Sequence, residues 1–250
     1  MKFELYCGNC LEVLKSDSIK DIIGKKTPVI VTDPPFNVGY HYNKYHDRMK
    51  EDDYLDFIGE VLGSFDRFVL IHYPEQIYRI ALHMGLAPER VVSWVYNSNT
   101  GRQHRDIAYF GFKPDFNLVR QPYKNLNDKR IQKRIAEGKT GAKIYDWWNV
   151  NQVKNVSKVK TCHPCQMPQE VMDNAVGIIP DKENTVIIDP FMGSCTTGLA
   201  CVKHDVDFIG IDMDEEYYRL CEQRMKEAVK KKQISPAIYA SDNWLSQLHR

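Results

Sequence analysis

Short apolar runs of β-forming residues alternate along this chain with stretches of helical periodicity, and that alternation restricts the fold more than any single motif. Strands are expected at 3–7, 28–33, 67–73, 90–96, 107–112, 185–189 and 207–212. Helices are expected at 11–23, 53–65, 75–84, 169–179, 197–204 and 215–231. Strands that alternate with helices form a mostly parallel sheet, because parallel neighbours need a crossover and the crossover helices cover the sheet faces. The stretch 90–112 holds two strands with no long helix between them, which implies an antiparallel member. The expectation is one α/β domain of 250 residues, interrupted by an insertion.

Composition supports this and excludes other classes. At 43% hydrophobic residues the chain can fill a core, yet no apolar run reaches the length of a membrane span. The first residues, Met1 to Tyr6, lack the apolar region of a secretory signal, so a cytoplasmic protein is expected. Seven cysteines in a reducing compartment read as free thiols. The pairs Cys7/Cys10 and Cys162/Cys165 are each C-x-x-C, but they lie too far apart in sequence for a zinc ribbon, and no metal is expected. The near-neutral net charge of +1 conceals an asymmetry: segment 113–160 carries twelve basic and four acidic residues, leaving the rest of the chain acidic. The segment also breaks the strand–helix rhythm, holding only a short helical run near 127–137 and the pair Trp147-Trp148. A basic island on an otherwise acidic protein suits phosphate, and a long irregular stretch inside a domain is commonly functional.

Two strand ends carry the chemistry. The run Val29-Ile30-Val31 leads into Asp33-Pro34-Pro35-Phe36-Asn37. Ligands of open α/β sheets sit beyond the carboxyl ends of the strands. The prolines stiffen the turn and hold the preceding residues extended. Asp33 and the Pro34 carbonyl thus offer two acceptors beside the flat face of Phe36, a set that suits an exocyclic amino group on a planar base. The second run, Val186-Ile187-Ile188-Asp189, leads through Pro190-Phe191-Met192-Gly193-Ser194-Cys195-Thr196-Thr197-Gly198. A phosphate-binding P-loop would need Lys-Ser/Thr after Gly198, where Leu199-Ala200 stand, and the dinucleotide pattern fails because Cys195 holds its middle glycine position. A nucleoside without phosphates remains. The strand 207–212 ends on Asp212, placed to hold ribose hydroxyls, while Asp214 and the acids after it start the next helix.

Together these residues resemble the DNA amino-methyltransferases, which move a methyl group from S-adenosylmethionine to adenine N6 or cytosine N4. Asp33-Pro34-Pro35-Phe36 is similar to their catalytic motif, 189–197 to their cofactor loop, and 210–217 to the strand with the ribose acid. His163-Pro164-Cys165-Gln166-Met167-Pro168 resembles the element that opens a cofactor-side helix, and Gly8-Asn9-Cys10-Leu11-Glu12 the family's N-terminal motif. The catalytic motif precedes the cofactor loop, the beta-type order. The resemblance implies a Rossmann-like methyltransferase fold with a mostly parallel seven-stranded sheet. It divides the chain into a catalytic half at 1–112, a target-recognition insert at 113–160 and a cofactor half at 161–250.

By the same resemblance, Asp33, Pro34, Pro35 and Phe36 are catalytic. Asn9, Cys10, Asp33, Gln166, Asp189, Phe191, Gly193, Ser194, Cys195, Thr196, Thr197, Asp212 and Met213 hold the cofactor. Asn37 and Tyr40 are added as walls of the base pocket, and Arg120, Lys129, Arg130, Lys133 and Arg134 as contacts to DNA. Three positions depart from the family pattern: Asn9 replaces an aspartate, Met167 a lysine, and Cys195 a glycine, so the loop is expected to manage there without positive φ. The expected substrate is double-stranded DNA, with a homodimer and a cognate restriction nuclease as possible partners. Adenine N6 is favoured because cytosine-N4 members usually begin the catalytic motif with serine. The alternatives are methylation of cytosine N4 or of RNA adenine and, in another class, a catalytically silent nucleic-acid-binding protein.

Overall fold

The computed structural model describes residues 1–154, 157 and 159–234; Lys158, counted in the basic segment, lies outside them. The strands are β1 (Phe3–Cys7), β2 (Thr27–Thr32), β3 (Phe68–His72), β4 (Arg90–Val95) and β5 (His104–Phe110), then β6 (Arg120–Gln121) and β7 (Ala142–Lys143), then β8 (Trp147–Asn149), β9 (Thr185–Asp189) and β10 (Asp207–Asp212). The first helices are α1 (Cys10–Leu14), α2 (Asp17–Ile23), α3 (Glu51–Leu62) and α4 (Pro74–His83). They are followed by α5 (Lys129–Ala136), α6 (Gln169–Gly177), α7 (Thr196–His204) and α8 (Glu215–Ile234).

Among the described residues the main sheet has eight strands in the order β1-β10-β9-β2-β3-β5-β4-β8, and β6 and β7 pair separately. Within the main sheet only β5 runs antiparallel to its neighbours, and β6 and β7 also pair antiparallel. Side chains alternate across β2 as the pleat requires. Val29 and Val31 pack with Val69, Ile71 and Ile187 under α6, α7 and α8, whereas Ile30 joins Phe68, Leu70 and Ile188 under α2, α3 and α4. Each such buried aliphatic contributes about 1.5–3 kcal/mol, and the two layers lock the register of the sheet. From β2 the chain moves outward to β3, and from β9 it moves the opposite way to β10. The carboxyl ends of β2 and β9 therefore flank a switch point, where a crevice opens.

Three sequence expectations need correction. The sheet has eight strands rather than seven, because Trp147-Trp148-Asn149 adds to β4 in parallel. Three residues are too few to show a periodic pattern, but Trp148 is buried and the Trp94 indole donates to the Val150 carbonyl at 2.7 Å. The helix expected at 11–23 is two helices: Ser16 is extended, and its hydroxyl donates to the Val13 carbonyl. Strand β5 starts at His104 rather than 107, because the polar residues His104-Arg105-Asp106 pair with Val95, Trp94 and Ser93.

Candidate active site

A cavity of about 580 Å³ opens at the switch point, within the size range of ligand sites. Its walls are the loops after β1, β2, β9 and β10, closed on one side by residues from 38–49 and on another by Arg105, His163 and Met167. The motifs at Asp33 and Asp189 thus meet in one space although 156 positions of sequence separate them.

The cofactor side is tightly bonded. Asp189 accepts the Thr32 hydroxyl at 2.9 Å, the Thr197 hydroxyl at 2.6 Å and the Phe191 amide at 3.1 Å. Burial pushes its carboxyl up to about 6 even though these donors pull the other way. Gly193 takes φ +47, and a Cβ there would stand 2.9 Å from the His163 ring, so only glycine lets the turn pass under the imidazole. Its amide donates to Asp212 at 2.9 Å, and the Asp214 amide donates to the other Asp212 oxygen at 2.9 Å. Burial raises the Asp212 carboxyl to about 6. Asp214 accepts the Glu216 and Tyr217 amides and caps α8, as the sequence implied, while also lining the cavity.

Cys195 overturns one expectation: it adopts φ +64. The loop keeps the left-handed geometry of the glycine it replaces, at a cost of about 1–2 kcal/mol. Its thiol is fully buried against Gly198, where an added Cβ would stand 2.7 Å from the sulfur. Cys195 does not line the cavity and shapes the turn instead. Gln166 also faces away, accepting the Thr161 amide and donating to the Val159 carbonyl. Asn9, Cys10, Asp33, Asp189, Phe191, Gly193, Ser194, Thr196, Thr197, Asp212 and Met213 all border the cavity. Asn9 also caps α1 through the Leu11 amide at 2.9 Å.

The side that carries the expected catalytic motif is organised differently. Asp33, Pro34, Pro35 and Phe36 line the cavity, and the Asp33 Oδ1 is shielded from solvent without a hydrogen-bond partner. Burial pushes the Asp33 carboxyl up to about 7, opposed by Arg105 and reinforced by Asp189. Phe36 stacks on His72 with centroids 4.0 Å apart and planes at 22°. The Tyr73 amide donates to His72 Nδ1 at 2.8 Å, which leaves the proton on Nε2. Nε2 then donates to the Tyr54 oxygen at 3.0 Å, and the Tyr54 hydroxyl donates to the Pro35 carbonyl at 2.8 Å. Burial, then the nearby arginines, hold His72 neutral by pulling it down to about 3. A neutral relay therefore fixes the proline turn from behind.

Tyr40 lines the cavity as expected, but Asn37 does not. It sits at φ +56 and exchanges hydrogen bonds with Met49, while its amide donates to Asp47. Asp47, almost fully buried, also takes the Val38 and Tyr40 amides, so Asn37 and Asp47 tie down the loop rather than form a wall. The five basic residues expected on DNA are all exposed and none borders the cavity. Arg120 lies on β6, and Lys129, Arg130, Lys133 and Arg134 lie on α5. Sequence reasoning missed His72, Tyr54 and Arg105. His72 follows the apolar run Phe68–Ile71 at the end of the strand beside β2, a signal that was available. Arg105 was not accessible in this way: it enters because antiparallel β5 begins where β3 ends.

A model of a DNA methylase family, comprising N6 and N4 methyltransferases, matches residues 27–223. This chain belongs to that family. The methylase is 27% identical to the type II methyltransferase M.HpaI of Haemophilus parainfluenzae, covering 90% of this chain and 74% of the relative. It is 24% identical to the DNA adenine methyltransferase YhdJ of Escherichia coli K12, over 83% and 79% of the two chains. Its fold is similar to that of the cytosine-N4-specific PvuII DNA methyltransferase, with a TM-score of 0.61, 15% identity and 92% of each chain covered.

Two features fit the methylase to a nucleoside-type methyl donor. The Gly193 turn borders the cavity, and the rings of Phe191, His163 and Tyr217 line the same space. Asp212 beside them is partly exposed, and its oxygens retain acceptor capacity after the two backbone bonds.

Proposed function

We propose that this methylase modifies adenine N6 in double-stranded DNA. The observation that carries the reading is the shielded, unpartnered Asp33 oxygen at the tip of β2, in the same cavity as the Gly193 turn. S-adenosylmethionine is the family's methyl donor, and when bound it supplies a sulfonium methyl already activated for transfer. Asp212 would hold its ribose, and the Gly193–Thr197 turn and Asn9 its remaining polar groups.

The amino group of adenine is a weak nucleophile because its lone pair is delocalised into the ring. Asp33 and the Pro34 carbonyl accept its two hydrogens, which draws the nitrogen toward a tetrahedral shape and frees the lone pair. These acceptors are fixed by the fold before substrate arrives, so they stabilise developing positive charge without reorganising. The proton then leaves to solvent. A base inside a duplex cannot reach an atom so enclosed, so the target nucleotide leaves the stack and is received against Phe36. The exposed cations Arg120, Lys129, Arg130, Lys133 and Arg134 of the 113–160 insert would meet the duplex phosphates.

Methyl transfer from radiolabelled S-adenosylmethionine to unmethylated DNA, followed by nucleoside analysis, tests the reading. N6-methyladenine is expected. Label only in N4-methylcytosine would overturn the choice of base, and no label in DNA would overturn the activity.

A further inference from the structure

The face of Phe36 that should receive a base is already occupied. His72 stacks against one side at 4.0 Å, and the Arg105 guanidinium carbon stands 4.7 Å from the ring centroid. A carbon lying in the ring plane would be held at about 5 Å or more by van der Waals contact with the ring edge. The guanidinium therefore lies over the face that His72 leaves. It is caged further by Trp94 at 5.3 Å, Tyr73 at 5.7 Å and Tyr96 at 6.0 Å.

Beyond the nearby Asp33 carboxyl and the Tyr96 hydroxyl, its polar contacts are poor for a buried cation. Arg105 Nη1 points at the Met167 sulfur at 3.8 Å, a weak acceptor, and its Nε is buried with no partner. The Asp33 Oδ1 in the same cavity has none either. Leaving such groups unmade is costly, and a residue so held is readily exchanged for a ligand that satisfies the site better. A guanidinium and an amino-bearing base also share a shape: each is flat, stacks on an aromatic face and carries an edge of N–H donors.

We propose that Arg105 is a target-site residue whose guanidinium fills the base slot of the DNA-free enzyme and is displaced when the base enters. The inference rests on the reading that the target base is received between Phe36 and Asp33. Displacement also serves the chemistry. Methyl transfer leaves the amino nitrogen positively charged until its proton departs, and a guanidinium kept beside it would oppose that charge. The exchange favours a base presenting an amino group to Asp33; thymine would turn a carbonyl toward the carboxylate and leave Arg105 the better occupant.

The test uses the full chain saturated with S-adenosylhomocysteine, so that only the base slot is free, and 9-methyladenine as the probe. Calorimetry should show Arg105→Met, which keeps the apolar stem, binding 9-methyladenine at least tenfold more tightly than wild type. Equal or weaker binding by the variant overturns the inference. A measurement on wild type guards against a misfolded variant: the ¹⁵N-edited signal of the buried Arg105 Nε–H should shift or exchange away as 9-methyladenine saturates the protein. A signal unchanged at saturation overturns it. If the variant binds the base no better while wild type still methylates adenine in DNA, the displacement idea alone fails. If wild type leaves adenine in DNA unmethylated, the underlying reading fails first.

Discussion

Asp33 and Asp189 stand at the ends of adjacent parallel strands, and the two turns read almost alike: Asp33-Pro34-Pro35-Phe36 and Asp189-Pro190-Phe191. Both carboxyls are buried, and burial raises both, to about 7 and about 6. Their partners differ completely. Asp189 receives two hydroxyls and an amide, whereas the Asp33 Oδ1 receives nothing. A buried acceptor with all its donors is a structural pin. One without them is held ready for a ligand, because the fold gains nothing from leaving it bare. Similar local sequences thus leave one strand-tip carboxyl fully bonded and the other with an open acceptor.

Replacing each aspartate by alanine should separate the two roles most strongly. Asp33→Ala should reduce methyl transfer at least a thousandfold with little change in cofactor affinity and no loss of thermal stability, because it removes a carboxyl whose charge is costly to bury near and above pH 7. Asp189→Ala strands two buried hydroxyls and an amide, each costing about 1–3 kcal/mol, and should destabilise the fold by several kcal/mol in urea melts. Single-turnover rates and melts on both variants check this. Near-normal turnover in Asp33→Ala, or an unaffected melt in Asp189→Ala, would show that the two aspartates do not divide these roles.

The pH dependence of stability sharpens it. A carboxyl whose folded pKa lies above its unfolded value binds more protons when folded, so stability falls as pH rises between the two values. For Asp33 that window runs from about 4 to about 7, and for Asp189 and Asp212 to about 6. The buried histidines His72, His163 and His204, held down to about 3, 4 and 4, contribute the opposite slope up to about pH 6.5, so Asp33's part is read as the difference between wild type and Asp33→Asn. In urea melts the variant should gain stability relative to wild type as pH rises from about 4 to about 7. Parallel pH profiles for the two proteins would assign the titration to another group.

Asp212 falls between the two cases, with two backbone donors and an exposed portion facing the cavity. Asp212→Ala should weaken S-adenosylmethionine by roughly 1.5–3 kcal/mol, the worth of a hydrogen bond to a charged group. Calorimetry showing unchanged affinity would make Asp212 a second structural pin like Asp189.

What the sequence disclosed follows the same division. Strand tips that end apolar runs announce themselves, so Asp33, Asp189, Asp212 and the Gly193 turn were all legible, as was the antiparallel member within 90–112. Groups delivered by long-range pairing were not. Arg105 sits in a polar stretch that reads as loop until β5 pairs with β3 and β4. Strand β8 is three residues long and acquires meaning only against Trp94. The left-handed backbone at Cys195 was hidden for another reason: burial of its side chain offsets a conformation that local preference disfavours.

The smallest expected effect tests what replaces a carboxylate clamp at the catalytic turn. Asp189 braces its turn from within. The Pro34-Pro35 turn is braced from behind instead, by the Tyr54 hydroxyl on the Pro35 carbonyl and by His72 under Phe36. Tyr54→Phe keeps the ring in the core and deletes only the hydroxyl. That leaves His72 Nε2–H and the Pro35 carbonyl each short of a partner, a loss of about 1–3 kcal/mol for each group left buried and unsatisfied. If the relay only supports the fold, melts should shift by that amount and methyl-transfer kinetics should be unchanged. If it positions the turn, turnover should drop several-fold while S-adenosylmethionine affinity stays constant, because the cofactor turn has its own clamp. The second result is expected, since the Pro35 carbonyl is adjacent to both the Pro34 acceptor and Phe36. A loss of cofactor affinity in Tyr54→Phe would show that the two strand tips are coupled and that their independence, on which the comparison rests, does not hold.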